Sequence, residues 1–309
     1  AVGVAGMYFK GRHVTPQHTL LLMALGAAGV ATGLGWWLTV LGAVVFGAGY
    51  GCSTVVFNPR VLRAFGAQGT AMLSLLNATF GVGAIAAPLV FVALGNDPTV
   101  TFALVAAIAA MIWLGAGQAG HSGAPTTTGT PQRFRLNIPI LGFGMLAIGT
   151  EACLIGLGPT ALIAAGETEV HAAQLLSMFF LAFLVSRVLL IFTAHLLRSF
   201  SLYTLAVSGV ALSALGAALI SPAVFFVAIG GFAGLLFPSF YVTASRKMGE
   251  DLRVAPTIIA AGLVGGIFSP LVLAPWMEVM GSRGFFWLIA GMTLAMSLAA
   301  IALLRRLNT

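Results

Sequence analysis

Long apolar runs separated by short polar connectors dominate this chain. Residues 1–9 are apolar but too short to span a bilayer, and a polar stretch from Lys10 to His18 follows them. Each later run is close to the ~20 residues that a helix needs to cross the hydrocarbon core. The pattern therefore predicts ten spanning helices, preceded by the tail of another helix. The ten runs cover residues 19–35, 37–57, 70–94, 99–117, 138–160, 171–195, 201–220, 222–245, 256–278 and 284–304.

Composition places the chain in one class of protein. Of its 309 residues, 60% are hydrophobic and 7% are charged, and the mean hydropathy is +1.06. Soluble domains carry about 25% charged residues, and membrane β-barrels show alternating segments of roughly ten residues. We therefore expect an all-α polytopic membrane protein. Cys52 and Cys153 both lie inside apolar runs and are interpreted as small packing residues.

A segment rich in Gly, Ser, Thr and Pro, residues 118–132, interrupts the apolar pattern and is interpreted as a linker. It divides the chain into an N-terminal transmembrane half (1–117), a cytoplasmic linker (118–136) and a C-terminal transmembrane half (137–309). Transporters built from two similar halves would have matching helix counts on each side. We expect the first helix and most of the second, about 45 residues, to precede Ala1. The alternative is a natural ten-helix chain.

The basic residues of the connectors predict an orientation. They fall almost entirely in alternate connectors, and Arg283 is the single exception in the other set. By the positive-inside rule the basic set is cytoplasmic, and the C-terminus with it. The chain is thus expected to be a multi-pass protein of the bacterial inner membrane. The net charge of +7 does not indicate a nucleic-acid partner, because the basic residues stand singly or in pairs in these connectors.

Glu151 is an acidic residue within an otherwise apolar run. A carboxylate in hydrocarbon costs roughly 3 kcal/mol or more, so it indicates a functional site. Burial disfavours the ionised carboxyl, which makes Glu151 the candidate proton-coupling residue. The alternative is a neutral or water-paired group that only locks two helices together. Gly144 and Gly158 lie two turns away on its face of the helix, and they admit close packing or a narrow water path.

Several stretches together resemble a known family. These are GAGYGCSTVVFNPRV (47–61), LLNATFGVGAIAAPLV (75–90), GTEACLIGLGPTALIAAG (149–166), SMFFLAFLVSRVLL (177–190) and GGFAGLLFPSFYVTASRKMG (230–249). They resemble the fucose:proton symporter-like sugar branch of the major facilitator superfamily. The resemblance implies two six-helix halves and a secondary transporter that moves a small polar solute, sugar-like or another metabolite, by alternating access. It also implies proton symport and a site between the halves.

Two positions depart from the family pattern. The sugar–proton symporters carry an acidic residue in the fourth helix, where Thr54 stands in this chain. The cytoplasmic signature after the second helix is reduced to KGRHVTPQH, in which only Gly11 and Arg12 match. Proton coupling through the fourth helix is therefore in doubt.

Polar residues within the spans are the candidates for a substrate pathway. Asn77 is the strongest in the N-terminal half, because a buried amide without a partner is costly. Thr54 and Tyr241 are weaker candidates, since a hydroxyl often bonds to a nearby backbone carbonyl. Asn58 is a further candidate for the pathway.

Proline, glycine and arginine positions are the candidates for conformational change. Prolines remove backbone donors and permit bends, and glycines allow close helix approach. Arg187 is expected to lie at a different depth from Glu151 and to extend toward the cytoplasmic surface. The candidate bends are Pro88, Pro238 and Pro270, and the candidate close approaches are Gly47, Gly49 and Gly51.

The motifs of enzymes are missing from the sequence. It has no phosphate-binding glycine loop, no paired-histidine metal motif and no carboxylate dyad within a helix. We therefore expect no enzymatic activity, no metal and no cofactor. The expected partners are a small-molecule substrate, protons and the lipid bilayer, and the protein is expected to be a monomer. The alternatives are a proton-driven exporter of amphipathic compounds and a non-transporting membrane receptor or assembly factor.

Overall fold

The structure is a computed structural model. It describes residues 2–10, 14–95, 97–119, 134–193, 195–249, 251 and 253–308, apart from the side chains of some helical positions, Pro88 among them. Residues 120–133 of the predicted linker (118–136) and the signature residues Gly11 and Arg12 lie outside this part of the chain.

The described residues are almost entirely helical, because a helix satisfies its own backbone hydrogen bonds where water is absent. A short 3₁₀ turn, Gly66–Gln68, joins α3 to α4. The helices are α1 (Val2–Lys10), α2 (Pro16–Ala31), α3 (Trp36–Phe65), α4 (Gly69–Ala93), α5 (Pro98–Ala119), α6 (Ile138–Ala164), α7 (Glu169–Thr193), α8 (Ser199–Leu219), α9 (Pro222–Ala233), α10 (Leu236–Met248), α11 (Val254–Val279) and α12 (Gly284–Asn308).

Among the described residues, eight helical segments are long and apolar enough to cross a membrane. One of them, Pro222–Met248, consists of α9 and α10 together. The predicted run 19–35 corresponds to α2, whose 16 residues end at Ala31. The other apolar runs of the second half match α6, α7, α8, α11 and α12.

Two expectations about helix ends were wrong. The run 37–57 was expected to end at residue 57, but α3 continues through Pro59 to Phe65. A proline removes one backbone hydrogen bond and bends a helix without having to end it. The run 222–245 was expected to be one helix, but the turn at Gly234 and Leu235 separates α9 from α10.

The chain forms two compact units, and each is discontinuous in sequence. Unit 1 contains residues 1–69, 83–134 and 249–260, and unit 2 contains residues 70–82, 135–248 and 261–309. Both α4 and α11 contribute one part to each unit. The division into halves at residues 117 and 137 stays a prediction.

Glycines set the helix spacing in unit 1. A Cβ at Gly49 would lie 2.8 Å from the backbone nitrogen of Met23, so α3 and α2 pack backbone to backbone there. Gly51 is also close to α1, with Val4 at 3.4 Å from such a Cβ. Both glycines act as the sequence predicted. At Gly47 a Cβ would meet no atom of the described residues within 4 Å, so no close approach is seen there.

Aromatic side chains fill the core of unit 2. Phe143, Phe200 and Tyr203 join α6 to α8, with ring centroids 5.6 Å apart. Phe179 of α7 stacks on Phe226 of α9 at 5.0 Å. Helix α8 is the most deeply buried of the eight candidate spans in the described residues, so it forms the centre of this unit.

Candidate functional site

The interruption between α9 and α10 is the centre of the candidate site in unit 2. Pro238 lies in the first turn of α10 and has no N–H, so it cannot bond to the carbonyl four residues earlier, which belongs to Gly234. Its ring would also clash with that carbonyl in a continuous helix. The sequence therefore ends α9 near Gly234 and leaves one buried acceptor without an intrahelical donor.

Arg187 of α7 supplies the missing donor. Its Nε donates to the carbonyl oxygen of Gly234 at 3.0 Å, and its Nη1 donates to the carbonyl oxygen of Asn77 at 3.2 Å. Its guanidinium carbon lies 4.2 Å from the centre of the Phe183 ring. The side chain is only 4% exposed. The expectation that Arg187 extends to the surface was wrong, because these two carbonyls hold it inside the protein.

The 70–82 segment of α4 packs on the same arginine. Ser74 is fully buried, and its Oγ donates to the carbonyl oxygen of Arg187 at 2.7 Å. The side chain of Asn77 donates to the carbonyl of Leu73 at 2.7 Å. Asn77 therefore meets Arg187 through its backbone, while its amide nitrogen is satisfied within α4.

Glu151 of α6 lies in a closely packed part of unit 2. A Cβ at Gly144 would overlap the ring of Phe240, and a Cβ at Gly158 would overlap the ring of Phe226. Phenylalanine rings thus occupy the space that these glycines leave two turns on either side of Glu151. Of the two alternatives, close packing and a water path, the structure shows close packing at these two glycines.

The Glu151 side chain is half-buried, and its two oxygens differ in environment. Oε1 is buried and has no hydrogen-bond partner among the described residues. The backbone N–H of Phe237, in the first turn of α10, and the charge of Arg187 both favour the ionised form of this carboxyl.

The interruption therefore places two charged side chains at two new helix ends. Arg187 binds at the carboxyl end of α9, where unpaired carbonyls favour a cation, and Glu151 faces the amino end of α10, where unpaired N–H groups favour an anion. Broken helices of this kind form ion and substrate sites in membrane transporters. The arrangement can hold a proton or a small charged or polar group at the break.

The remaining residues predicted for the site fall in different places. Tyr241 is fully buried on α10 with its ring 5.6 Å from that of Phe237. Pro270 lies inside a continuous α11, so it does not end that helix. Pro88 lies within α4, and its side chain is outside the described residues.

Thr54 and Asn58 belong to unit 1. The hydroxyl of Thr54 donates to the carbonyl of Gly51 at 2.9 Å, the local bond expected of a hydroxyl in a helix. Asn58 is 6% exposed on α3.

Sequence reasoning did not identify Gly234 and Ser74. The spacing of Gly234 and Pro238 could have revealed the first, since a proline frees the carbonyl four residues before it. No signal in the sequence pointed to Ser74. Across the described residues, no group of three or more His, Cys, Asp or Glu side chains could hold a metal ion.

Known transporter structures share the architecture of this chain. The FucP transporter, the E. coli fucose:proton symporter, in its outward conformation, matches with a TM-score of 0.81 at 15% identity, over 95% of this chain and 82% of that one. The human organic anion transporter MFSD10 gives 0.74 at 15% identity, over 97% and 79%. The proton:xylose symporter XylE, bound to 6-bromo-6-deoxy-D-glucose, gives 0.66 at 15% identity, over 98% and 82%.

No protein-family model and no curated protein matches the sequence. The structural matches establish the fold, which is that of the major facilitator superfamily. The chain is an integral, multi-pass, all-α membrane protein. The fold expected from the sequence resemblance is thereby confirmed.

Proposed function

We propose that this protein is a secondary active transporter, and not an enzyme, that moves a small polar solute by alternating access with protons as the coupling ion. The observation that carries the proposal is the broken helix of unit 2, with Arg187 at the carboxyl end of α9 and Glu151 at the amino end of α10. A charged residue of each sign at such a break is costly in a membrane. A purely structural helix pair would need neither.

Within this proposal, Glu151 takes up and releases the transported proton. Asn77, Thr54, Asn58 and Tyr241 line the substrate pathway. The structures that share the fold include proteins named as fucose, xylose and organic anion transporters. Fucose and xylose are therefore the first solutes to test. We further propose a monomer in the bacterial inner membrane with a cytoplasmic C-terminus.

The test is transport by the purified protein in liposomes. Uptake of labelled fucose and xylose is measured with an inward proton gradient, and counterflow of the same solutes is measured without one. Glu151→Gln keeps the shape and hydrogen bonding of the side chain but removes its titration. We expect this variant to lose uphill uptake and to keep counterflow. Glu169→Gln is the matched control, because Glu169 is exposed at the start of α7, and it should keep both activities.

The outcomes separate the alternatives. Equal uphill uptake by the Glu151→Gln variant and the parent would exclude Glu151 as the obligatory proton site. Gradient-driven transport of an organic anion, without transport of either sugar, would favour the exporter of amphipathic compounds. The absence of transport for every solute tested would favour a receptor or assembly factor.

Asn77 is tested in the same assay. Asn77→Ala removes an amide that is only part-buried and whose nitrogen bonds to Leu73. We expect a several-fold rise in the half-saturating solute concentration of counterflow. A variant with lower thermal stability but unchanged solute affinity would show that the Asn77 side chain has a packing role and does not bind the solute.

A further inference from the structure

Two membrane-facing stripes of unit 2 each end at an arginine. On α8, the exposed leucines Leu205 and Leu212 follow Arg198 at spacings of seven residues, and Leu219 continues the series. Residues at this spacing share one face of a helix. Helix α8 is otherwise deeply buried, so this stripe is the part of α8 that meets the lipid.

Helix α12 repeats the pattern. Leu294, Leu298 and Ile301 are 43%, 60% and 55% exposed, and the next residue at helical spacing is Arg305, which is also exposed. A basic residue at the end of an apolar, membrane-facing stripe is placed where lipid headgroups lie.

A groove lies between these stripes. Ser201, Leu205 and Leu212 of α8 line it together with Phe232 of α9 and Leu304 of α12. At Gly209 a Cβ would overlap the ring of Phe232, so this ring packs directly on α8 and forms one wall of the groove. From Ser201 to Leu212 it follows α8 for about 16 Å. This is about half of the ~30 Å hydrocarbon core, the depth of one leaflet.

Arg198 and Arg305 both lie near one end of this groove. Asn308 donates from Nδ2 to the Oγ of Ser201 at 2.8 Å, which joins the end of α12 to the start of α8. Arg305 and Arg198 each lie one helical turn from that bond. Lys247 at the end of α10 is also close, since its Nζ donates to the carbonyl oxygen of Arg306 at 3.3 Å.

The charge at this end is of one sign. The acidic side chains of unit 2 that the structure describes, Glu151, Glu167 and Glu169, lie within α6 or around the start of α7. Basic residues between helices at a membrane surface bind anionic headgroups, and arginine binds phosphate through paired N–H donors. The groove is thus apolar along a length that matches one leaflet, and it has basic residues at one end.

We propose that this groove is a specific site for an anionic phospholipid. One acyl chain lies along Leu205 and Leu212, and the phosphate is held by Arg198 and Arg305. The site lies outside the break between α9 and α10, and its occupancy does not depend on transport. The shape selects a chain-bearing ligand, and the basic mouth selects a negative headgroup over a zwitterionic one.

Native mass spectrometry of the detergent-purified full chain tests the proposal. The protein is mixed with equimolar phosphatidylglycerol and phosphatidylcholine of identical acyl chains. The lipid that stays bound is identified from the mass of the protein–lipid complex. We expect the parent to retain phosphatidylglycerol in preference to phosphatidylcholine. The double variant Arg198→Gln/Arg305→Gln should lose this preference by an order of magnitude, about the effect of two basic residues at a membrane surface.

Two further variants make the result specific. Arg63→Gln/Arg246→Gln removes the same charge from exposed arginines of α3 and α10, which do not end either of the two apolar stripes, and it should behave as the parent. Leu205→Trp fills the groove at a residue that is 49% exposed, so the core need not repack. It should lose the retained lipid although both arginines are intact.

Three results would overturn the proposal. The first is a parent without preference between the two lipids. The second is an equal loss of preference in the two double variants, which would indicate general charge attraction. The third is displacement of the lipid by glycerophosphoglycerol, the headgroup without chains, together with unchanged binding in the Leu205→Trp variant. That third result would assign the arginines to a free phosphate anion.

Discussion

Prolines at two places in the spans have opposite effects on the helix that contains them. Pro159 lies inside α6 and the helix continues to Ala164, whereas Pro238 coincides with the end of α9 and the start of α10. Each proline lacks an N–H, so the carbonyl four residues earlier has no hydrogen-bond donor from its own helix. The difference is that Arg187 donates to the carbonyl freed by Pro238. A proline permits a break, and a partner from another helix stabilises it.

The largest expected effect comes from removing that partner. Arg187→Leu leaves the carbonyls of Gly234 and Asn77 buried without a donor, and bonds from charged donors are the stronger ones. We expect the free energy of unfolding to fall by about 3 kcal/mol. Cys52 and Cys153 are buried, so a thiol-reactive dye reports thermal unfolding in detergent.

The control for this experiment is Arg246→Leu. Arg246 is exposed at the end of α10, and the change should alter the stability by no more than about 0.5 kcal/mol. If both leucine variants unfold at the temperature of the parent, Arg187 does not stabilise the break.

A second substitution sharpens the comparison between the prolines. Pro238→Ala restores an N–H that can bond to the carbonyl of Gly234, so the arginine becomes partly redundant. We expect the Arg187→Leu/Pro238→Ala variant to be more stable than the sum of the single effects by about 1 kcal/mol, measured as a double-mutant cycle. Pro159→Ala replaces Pro238→Ala in the control cycle. Purely additive effects in both cycles would contradict the role assigned to Arg187.

Gly234, at the end of α9, and Gly231, within it, provide a test with a smaller loss of stability than that expected for Arg187→Leu. A Cβ at Gly234 would lie 2.5 Å from the carbonyl oxygen of Phe183, whereas a Cβ at Gly231 would meet no atom within 4 Å. Gly234→Ala should destabilise the protein by about 2 kcal/mol through overpacking. Gly231→Ala should be neutral or stabilising by up to about 1 kcal/mol, because alanine favours helix. Equal melting temperatures for the two variants would show that α9 and α7 are not in close contact at Gly234.

The helices were largely predictable, because apolar length and turn residues are local properties of the chain. The run predicted at 284–304 corresponds to α12, and the run at 171–195 corresponds to α7. Helix ends were less predictable where proline was involved. The run predicted to end at residue 57 continues through Pro59, while the bend expected at Pro238 is a complete break between α9 and α10.

The candidate site was only partly predictable, because its contacts join distant parts of the chain. Arg187 binds carbonyls 47 and 110 residues away in sequence. Carbonyls are present at every residue, so no residue type marks them as ligands. The sequence could single out Arg187 and Glu151 as charges in apolar runs, but it could not show that the same broken helix receives both.

The smallest expected effect concerns a charged pair in the connector between α10 and α11. Asp251 accepts hydrogen bonds from Nε and Nη2 of Arg253, both at 3.0 Å, and from the backbone N–H of Arg253 at 2.8 Å. The side-chain bond with Arg253 is the main reason that the pKa of Asp251 lies below its ordinary value. A lowered carboxyl pKa means that the folded protein binds fewer protons than the unfolded chain, so the pair contributes stability at high pH and loses it on acidification.

We therefore expect Asp251→Asn to lower the free energy of unfolding by less than about 1 kcal/mol at pH 7, as for other partly exposed pairs. The difference from the parent should stay constant down to about pH 5. It should then shrink as the pH falls through the ordinary carboxyl pKa of about 4 and vanish below the lowered pKa of the folded state. The measurement is thermal unfolding of both proteins between pH 3 and 8, followed by circular dichroism because thiol labelling slows in acid. A difference that grows below pH 5 would have the wrong sign for a carboxylate held by Arg253 and would contradict the prediction.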